Sequence, residues 1–321
     1  MLLGLKSIAQ DPFLSMEQMA AQFMSPAAVG NGIYGQRLQT NLRAQFVNGN
    51  NLYHTIASGW DTRFKNKNPD KSSIIGIGFQ IVSDQLMNGI LQSNNISMNL
   101  SNRIYLDDYG YSSVAIGIGA NYSQIYLDRT KLIFGDQFDY KAIASGTTAE
   151  SVNATSNRFS GNMGFLYTYH SEAVFAQGSG NAIYNSKGNL INTIDNTSTV
   201  LKPNFFINFE KALDNEFTIA GHASYAVKYG NVQKVIGGAV GIPVIDKEQT
   251  TRRVYIGLYS RLGDAIIPSF SLMMDKYIFS LSYDIYQNSL TTANLKPNGF
   301  ELSLSVSFGE KKNNYLRTIF N

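Results

Sequence analysis

The chain has no cysteine in 321 residues, which excludes a disulfide scaffold and a thiolate metal site. It is also short of charge: Asp, Glu, Lys and Arg make up 15% of it, against ~25% in an ordinary soluble domain. The 26 basic and 23 acidic residues nearly cancel, to a formal charge of +3, so no basic face argues for nucleic acid. Long hydrophobic runs are missing as well. A membrane-spanning helix needs ~20 apolar residues in a row, and here every apolar run soon meets Asn, Ser, Gln or a charge. Intrinsic disorder is excluded by what is abundant: 19 Phe, 19 Tyr and 1 Trp bring the aromatics to 12%. What remains is an all-β protein. Low charge, many aromatics and alternating patterns suit a transmembrane barrel better than a soluble sandwich.

The first residues resemble the end of an export signal. An apolar stretch leads to Ser7 and Ala9, an A-x-A-like site ahead of Gln10. Lys6 interrupts the stretch and no basic region precedes it, so residues 1–9 read as a residual signal peptide. Residues 10–34 show no period of two. Met16, Met19, Ala20 and Phe23 share one face at helical spacing, before Pro26 and the Gly30/Gly32 pair break the pattern. This predicts a short helical or irregular lead-in ahead of the first strand.

From residue 35 the pattern alternates. Arg37, Gln39, Asn41, Arg43 and Gln45 are polar, while Leu38, Thr40, Leu42, Ala44 and Phe46 occupy the other face. Successive side chains of a strand point to opposite sides, so a membrane barrel would turn the arginine-bearing face to its lumen. The same alternation marks 75–82, 114–123 and 300–308. Ten further segments have strand character: 53–64, 95–105, 159–170, 172–179, 200–210, 216–228, 232–243, 251–262, 267–275 and 277–287. Together they predict about fourteen antiparallel strands over residues 35–309. That is roughly 20 residues for each strand and its connection, enough for the ~9–11 of a tilted spanning strand. Arg129–Asn157 and Ser179–Ser198 are expected to be the main loops, and 310–321 a tail.

No catalytic constellation stands out. His54, His170 and His222 fall in separate strands without ligand-like spacing, so neither a metal nor another cofactor is expected. His170-Ser171 lacks an oriented base and an oxyanion hole, and His170 reads as a strand-end residue in the interfacial zone. Asp107-Asp108 ahead of Tyr-Gly-Tyr reads as a turn. The glycines of 117–119 and 237–241 lie within strands rather than between a strand and a helix. They are expected to admit a neighbouring aromatic ring or a bend. Arg37 and Arg43 would lie ~20 Å apart along the strand. Their readings are an anion-attracting or partner-binding interior, or lumen ion pairs with Asp61, Glu301 or Asp284.

Several segments resemble, in order, the PorP/SprF membrane proteins of the type IX secretion system of Bacteroidota. Gln10-Asp11-Pro12 through Ser25-Pro26-Ala-Ala-Val-Gly30 is similar to the family's opening, with Ser25 where Asn is usual. Asn41-Leu-Arg43-Ala-Gln45-Phe46 is similar to its Asn-x-Arg-x-Gln-Trp strand, with Phe for Trp. Leu132-Ile-Phe-Gly-Asp136-Gln137, Lys202-Pro203 and Arg261-Leu-Gly-Asp264-Ala-Ile-Ile-Pro268 follow the family's later elements. Ser282-Tyr-Asp284 and Gly299-Phe-Glu301 follow its closing hairpin. The resemblance implies a monomeric outer-membrane barrel of fourteen strands without catalytic residues. It implies as partners the periplasmic ring and attachment components of the secretion and gliding machinery, and a secreted adhesin's C-terminal domain. Residues 10–34 become the expected lumen plug, with Arg37, Asn41, Arg43, Gln45, Asp61, Asp284 and Glu301 as its expected contacts. An open porin or small-molecule transporter is the alternative function.

Overall fold

A computed structural model describes residues 14–47, 50–65, 73–132, 138–139, 142–143, 155–185, 201–213, 216–228, 231–244, 252–287, 297–309 and 315–320. The expected signal-peptide residues 1–9 lie outside them. Fourteen antiparallel strands form a closed barrel. They are β1 Gln36–Val47, β2 Asn50–Lys65, β3 Ser73–Leu86, β4 Leu91–Tyr105 and β5 Ser112–Leu127. Next come β6 Thr155–His170, β7 Val174–Asn185, β8 Leu201–Ala212, β9 Thr218–Lys228 and β10 Asn231–Pro243. The last four are β11 Arg252–Arg261, β12 Ala265–Met274, β13 Tyr277–Tyr286 and β14 Pro297–Phe308. Each strand pairs with its sequence neighbours, and β1 closes the ring on β14, with Gln36 opposite Phe308 and Val47 opposite Pro297. Closure leaves no sheet edge, the condition a sheet must meet to sit in hydrocarbon.

The alternation read from the sequence orients the strands. In β1, Arg37, Gln39, Asn41 and Arg43 are buried inside, while Leu38 and Leu42 are exposed outside. The outer surface continues with Ile56, Phe79, Ile118, Phe165, Ile207, Ile256, Phe279 and Leu304, all exposed. So continuous an apolar band is far larger than a water-soluble monomer tolerates, and it suits lipid. No helix among the described residues is long and apolar enough to cross a membrane; the strands do the crossing.

The sequence underestimates β7, which runs to Asn185 where a loop from Ser179 is expected. Ser179 and Asn181 are buried inward, and the outward positions 178, 180 and 182 are Gly, Gly and Ala ahead of exposed Tyr184. The Phe205 ring of β8 covers Gly180, where a Cβ would come within 3.1 Å of it. The apolar face there is supplied by the neighbouring strand, so it leaves no period of two. Strand β6 likewise starts at Thr155, inside the expected first loop. The strand ends joined by the two longest connections, Leu127 to Thr155 and Asn185 to Leu201, lie at the same end of the barrel, hereafter the long-loop end. Residues 36 and 308 lie at the other, the short-turn end. There Asp107 forms the expected turn, accepting the backbone N–H groups of Tyr111 and Ser112.

The lumen is not empty. The 14–34 segment forms a 3₁₀ turn Glu17–Met19, one α-helical turn Ala21–Met24 and a second 3₁₀ turn Pro26–Ala28. A single helix carrying Met16, Met19, Ala20 and Phe23 is thus not what forms. The stripe is broken at Ala20 and Ser25, whose backbone is non-helical. Met16, Met19 and Ala20 are nonetheless buried.

The lumen and its two occupants

Wall side chains hold the 14–34 segment by its backbone. Irregular chain inside a barrel cannot satisfy its own amides and carbonyls, and a buried orphan costs ~1–3 kcal/mol. Gln39 donates to the Met19 carbonyl (2.7 Å), Gln80 to that of Gln22, and Ser101 to that of Val29 (2.7 Å). Asn181 and Asn204 both donate to the Met24 carbonyl. Asn31 answers with its side chain, donating to Thr168 Oγ1 and Gln177 Oε1. Space is made for the segment too. A Cβ on Gly117 would fall 2.3 Å from the Ala27 nitrogen and 2.4 Å from the Pro26 carbonyl carbon. Gly117 therefore admits the plug's backbone rather than the aromatic ring expected from sequence. Gly237 does meet an aromatic, Tyr259 of β11.

Two charged clusters pin this segment. Near the short-turn end Arg37 makes a two-pronged contact with Asp61, Nε–Oδ1 3.0 Å and Nη2–Oδ2 3.2 Å. The two residues face each other across β1 and β2, and Asp61 Oδ2 also accepts the Gly30 N–H at 2.6 Å. Gly30 has φ +69°, a conformation other residues resist, and its amide is aimed at the carboxylate by that turn.

Toward the long-loop end, Glu301 stands directly opposite Arg43 in the β1–β14 register. Arg43 reaches past it to Asp284 (2.9 Å) and Tyr286 Oη (2.7 Å). Glu301 accepts instead the backbone N–H groups of Ser15 and Met16 and the Asn41 amide (3.0 Å). Arg261 joins Asp284 at 3.1 Å and Asp264 at 2.7 Å. Both Arg43 and Arg261 donate to Ser15 Oγ, at 3.2 Å each. Of the residues singled out from sequence, Asn41, Arg43, Asp284 and Glu301 meet here. Arg37 and Asp61 form the other cluster, and Gln45, the next inward position of β1 after Arg43, is half-buried.

Sequence reasoning missed Glu17, which receives Ser224 Oγ and lies 3.4 Å from His222 Nε2, while His222 Nδ1 lies 2.6 Å from Asn208. The signal available was a carboxylate inside the apolar stripe of the lead-in. It missed the second occupant altogether. Residues 315–320 fold back into the short-turn end, and Tyr315, Leu316, Arg317, Thr318, Ile319 and Phe320 are all buried. Glu210 of β8 accepts Thr318 Oγ1 (2.5 Å), the Ile319 N–H (3.1 Å) and Tyr255 Oη (2.6 Å). Phe320 stacks on Phe175, centroids 6.0 Å apart. His170, read from sequence as interfacial, instead turns inward. Its Nε2 lies 2.6 Å from the Leu316 carbonyl, and its ring packs on Phe175 and Tyr315. The tail joins Met16 and Met19 in one apolar cluster with Tyr255, Met273 and Ile278, so the two occupants touch. Among the described residues no group of three or more His, Asp or Glu side chains is placed to hold a metal.

Solved structures share this architecture at very low identity. A toluene transporter, TbuX of Ralstonia pickettii, is 7% identical with a TM-score of 0.52, over 90% of this chain and 94% of that one. A FadL homologue of Pseudomonas aeruginosa is 10% identical with a TM-score of 0.53, over the same shares. Both show the fold and nothing more. No protein of curated function matches in sequence. The model of the type IX secretion system membrane protein family PorP/SprF matches residues 7–306. With its lipid-facing barrel and that match along nearly its whole length, the chain belongs to the PorP/SprF family of type IX secretion membrane proteins and resides in the outer membrane.

Proposed function

We propose that this protein is a non-enzymatic, non-conducting docking component of the type IX secretion and gliding machinery. It binds a secreted adhesin's C-terminal domain, periplasmic ring and attachment components, or both. The observation that carries this reading is the doubly occupied lumen, with 14–34 and 315–320 bonded to the wall and to each other. A barrel filled in this way offers its ends, not its bore. In outer-membrane barrels the longer loops face the outside and the short turns the periplasm. The long-loop end is thus the side for a surface adhesin, and the end closed by the C-terminal tail is the side for ring components. The contact of His170 with the tail's Leu316 carbonyl supports a structural role for that histidine.

The test is affinity purification of the tagged protein from detergent-solubilised outer membranes of its host, read by mass spectrometry, with planar-bilayer recording of the same sample. Recovery of ring components, or of one large adhesin, from a silent barrel supports the proposal. A barrel recovered alone that opens stable channels overturns it in favour of a porin or small-molecule transporter.

A further inference from the structure

The tail at the short-turn end is held as a bound peptide is held, largely through its backbone. The Leu316 N–H donates to the Ser171 carbonyl at 2.9 Å, and the Leu316 carbonyl lies 2.6 Å from His170 Nε2. Arg253 donates to the Arg317 carbonyl (3.3 Å), and Glu210 accepts the Ile319 N–H (3.1 Å). Main-chain contacts of this kind are open to any extended segment, and specificity comes from the side chains that enter pockets. Two side chains are read here. Thr318 Oγ1 donates to Glu210 at 2.5 Å, and the fully buried Phe320 ring stacks on Phe175. The mouth thus selects a hydroxyl residue followed two places later by an aromatic one.

One residue of the tail fits badly. Arg317 is 3% exposed, and among the described residues no carboxylate forms an ion pair with it. Its Nη1 donates to Tyr34 Oη (2.9 Å), and the guanidinium lies over the Tyr34 ring, 5.2 Å from the centroid. Nε and Nη2 have no partner. Asp275 acts on it only from a distance, in the exposed β12–β13 turn, while Arg253 brings a second cation to the Arg317 carbonyl. A buried charge with half its hydrogen bonds unmade weakens the binding of whatever carries it. That charge belongs to the occupant and not to the wall, so a segment with a neutral residue at this place would be held more tightly. The weakness has a use. A tethered occupant competes at an effective concentration on the order of mM, and only a tail that binds poorly in itself yields to a partner at ordinary concentration. We propose that the short-turn mouth is a peptide-binding site whose tail is a displaceable occupant. Its partner is an extended protein segment of the pattern neutral residue, Ser or Thr, any residue, aromatic. The inference rests on the reading of this end as the side for periplasmic components, and it names what they would insert there.

Fluorescence anisotropy tests the site on the barrel ending at Asn314. The probes are fluorescein-labelled Tyr-Leu-Arg-Thr-Ile-Phe-Asn and the same peptide with Gln for Arg or Ala for Phe. A heat-modifiable gel shift reports folding. If the shortened chain does not fold, a protease site placed within 310–314 of the full chain lets the tail be cut and washed out after folding. The Gln peptide should bind at least tenfold more tightly than the native sequence, and the Ala peptide at least tenfold more weakly. Glu210→Leu in the same barrel should weaken the Gln peptide tenfold or more. A folded, tail-free barrel that binds none of the peptides overturns the site. So do affinities that ignore the Arg-to-Gln change, the Phe-to-Ala change or Glu210→Leu. Exchange is tested in the full chain, where Arg317→Gln should fix the tail and cut recovery of ring components from host membranes fivefold or more. Undiminished recovery overturns the exchange and leaves the docking reading standing. Recovery from neither wild type nor variant, beside intact peptide binding, overturns the docking reading instead.

Discussion

The two segments that fill the lumen are held in different ways. Residues 14–34 fold into three short turns and touch the wall from the level of Glu301 to that of Asp61, six residues apart along β1. Their backbone is received by polar side chains on at least seven strands, and charge clusters pin both extremities. The described residues of the tail, 315–320, form no helix or strand; they are held at one end of the barrel by Glu210, by hydrogen bonds of Tyr315, Leu316 and Arg317 to Gly110, Ser171 and Tyr34, and by ring contacts with Phe175 and His170. The difference shows what the polar interior is for. In an open channel the inner Gln, Asn and Ser residues would face water and solute. Here much of that polarity supplies the hydrogen bonds that an irregular plug cannot make within itself.

Breaking the plug's charged anchorage should have the largest effect. Asp61→Ala leaves the Arg37 guanidinium and the Gly30 amide buried without their acceptor. A loss of about 3–5 kcal/mol is expected, read as a lower unfolding midpoint of the detergent-solubilised barrel by circular dichroism. The tail's anchor should matter less. Glu210→Leu strands the Ile319 amide and two hydroxyls, for about 1–3 kcal/mol, and should expose the C-terminus to carboxypeptidase while leaving 14–34 protected. An unchanged digestion rate would show that the ring contacts and the hydrogen bonds to Ser171, Tyr34 and Gly110 hold the tail without Glu210. Gly117→Ala should cost a similar amount, about 1–3 kcal/mol, from overpacking against the plug backbone at Pro26 and Ala27. Its readout separates the segments: bilayer recordings should show flickering conductance from a shifted plug, with the tail's protease resistance intact.

How far the sequence reaches differs between barrel and lumen. Four strands follow from a clear period of two, because one face must be apolar wherever lipid is the solvent, and the other ten from strand-like segments between turn residues. The exception at Ser179–Asn185 has a cause: outward Gly180 borrows its apolar cover from Phe205. In the lumen, Arg37, Asn41 and Arg43 stand out as charges and amides on the inner face of one strand. Their partners do not follow from spacing. Register alone would pair Arg43 with Glu301, yet Arg43 binds Asp284 and leaves Glu301 for the Ser15 and Met16 amides. Glu210 and Tyr315–Phe320 carry no local mark, because a short mixed-polarity tail reads the same in water as in a lumen.

By itself the sequence determined a lipid-facing barrel, its strand number and which face of each strand looks inward. Those properties are set residue by residue, by side chains alternating between two solvents. Only the tertiary structure decided what fills the interior. Contacts such as Gly30 with Asp61 or Glu210 with Ile319 join residues distant along the chain, and they exist only once closure of β1 on β14 fixes the inner wall around both ends.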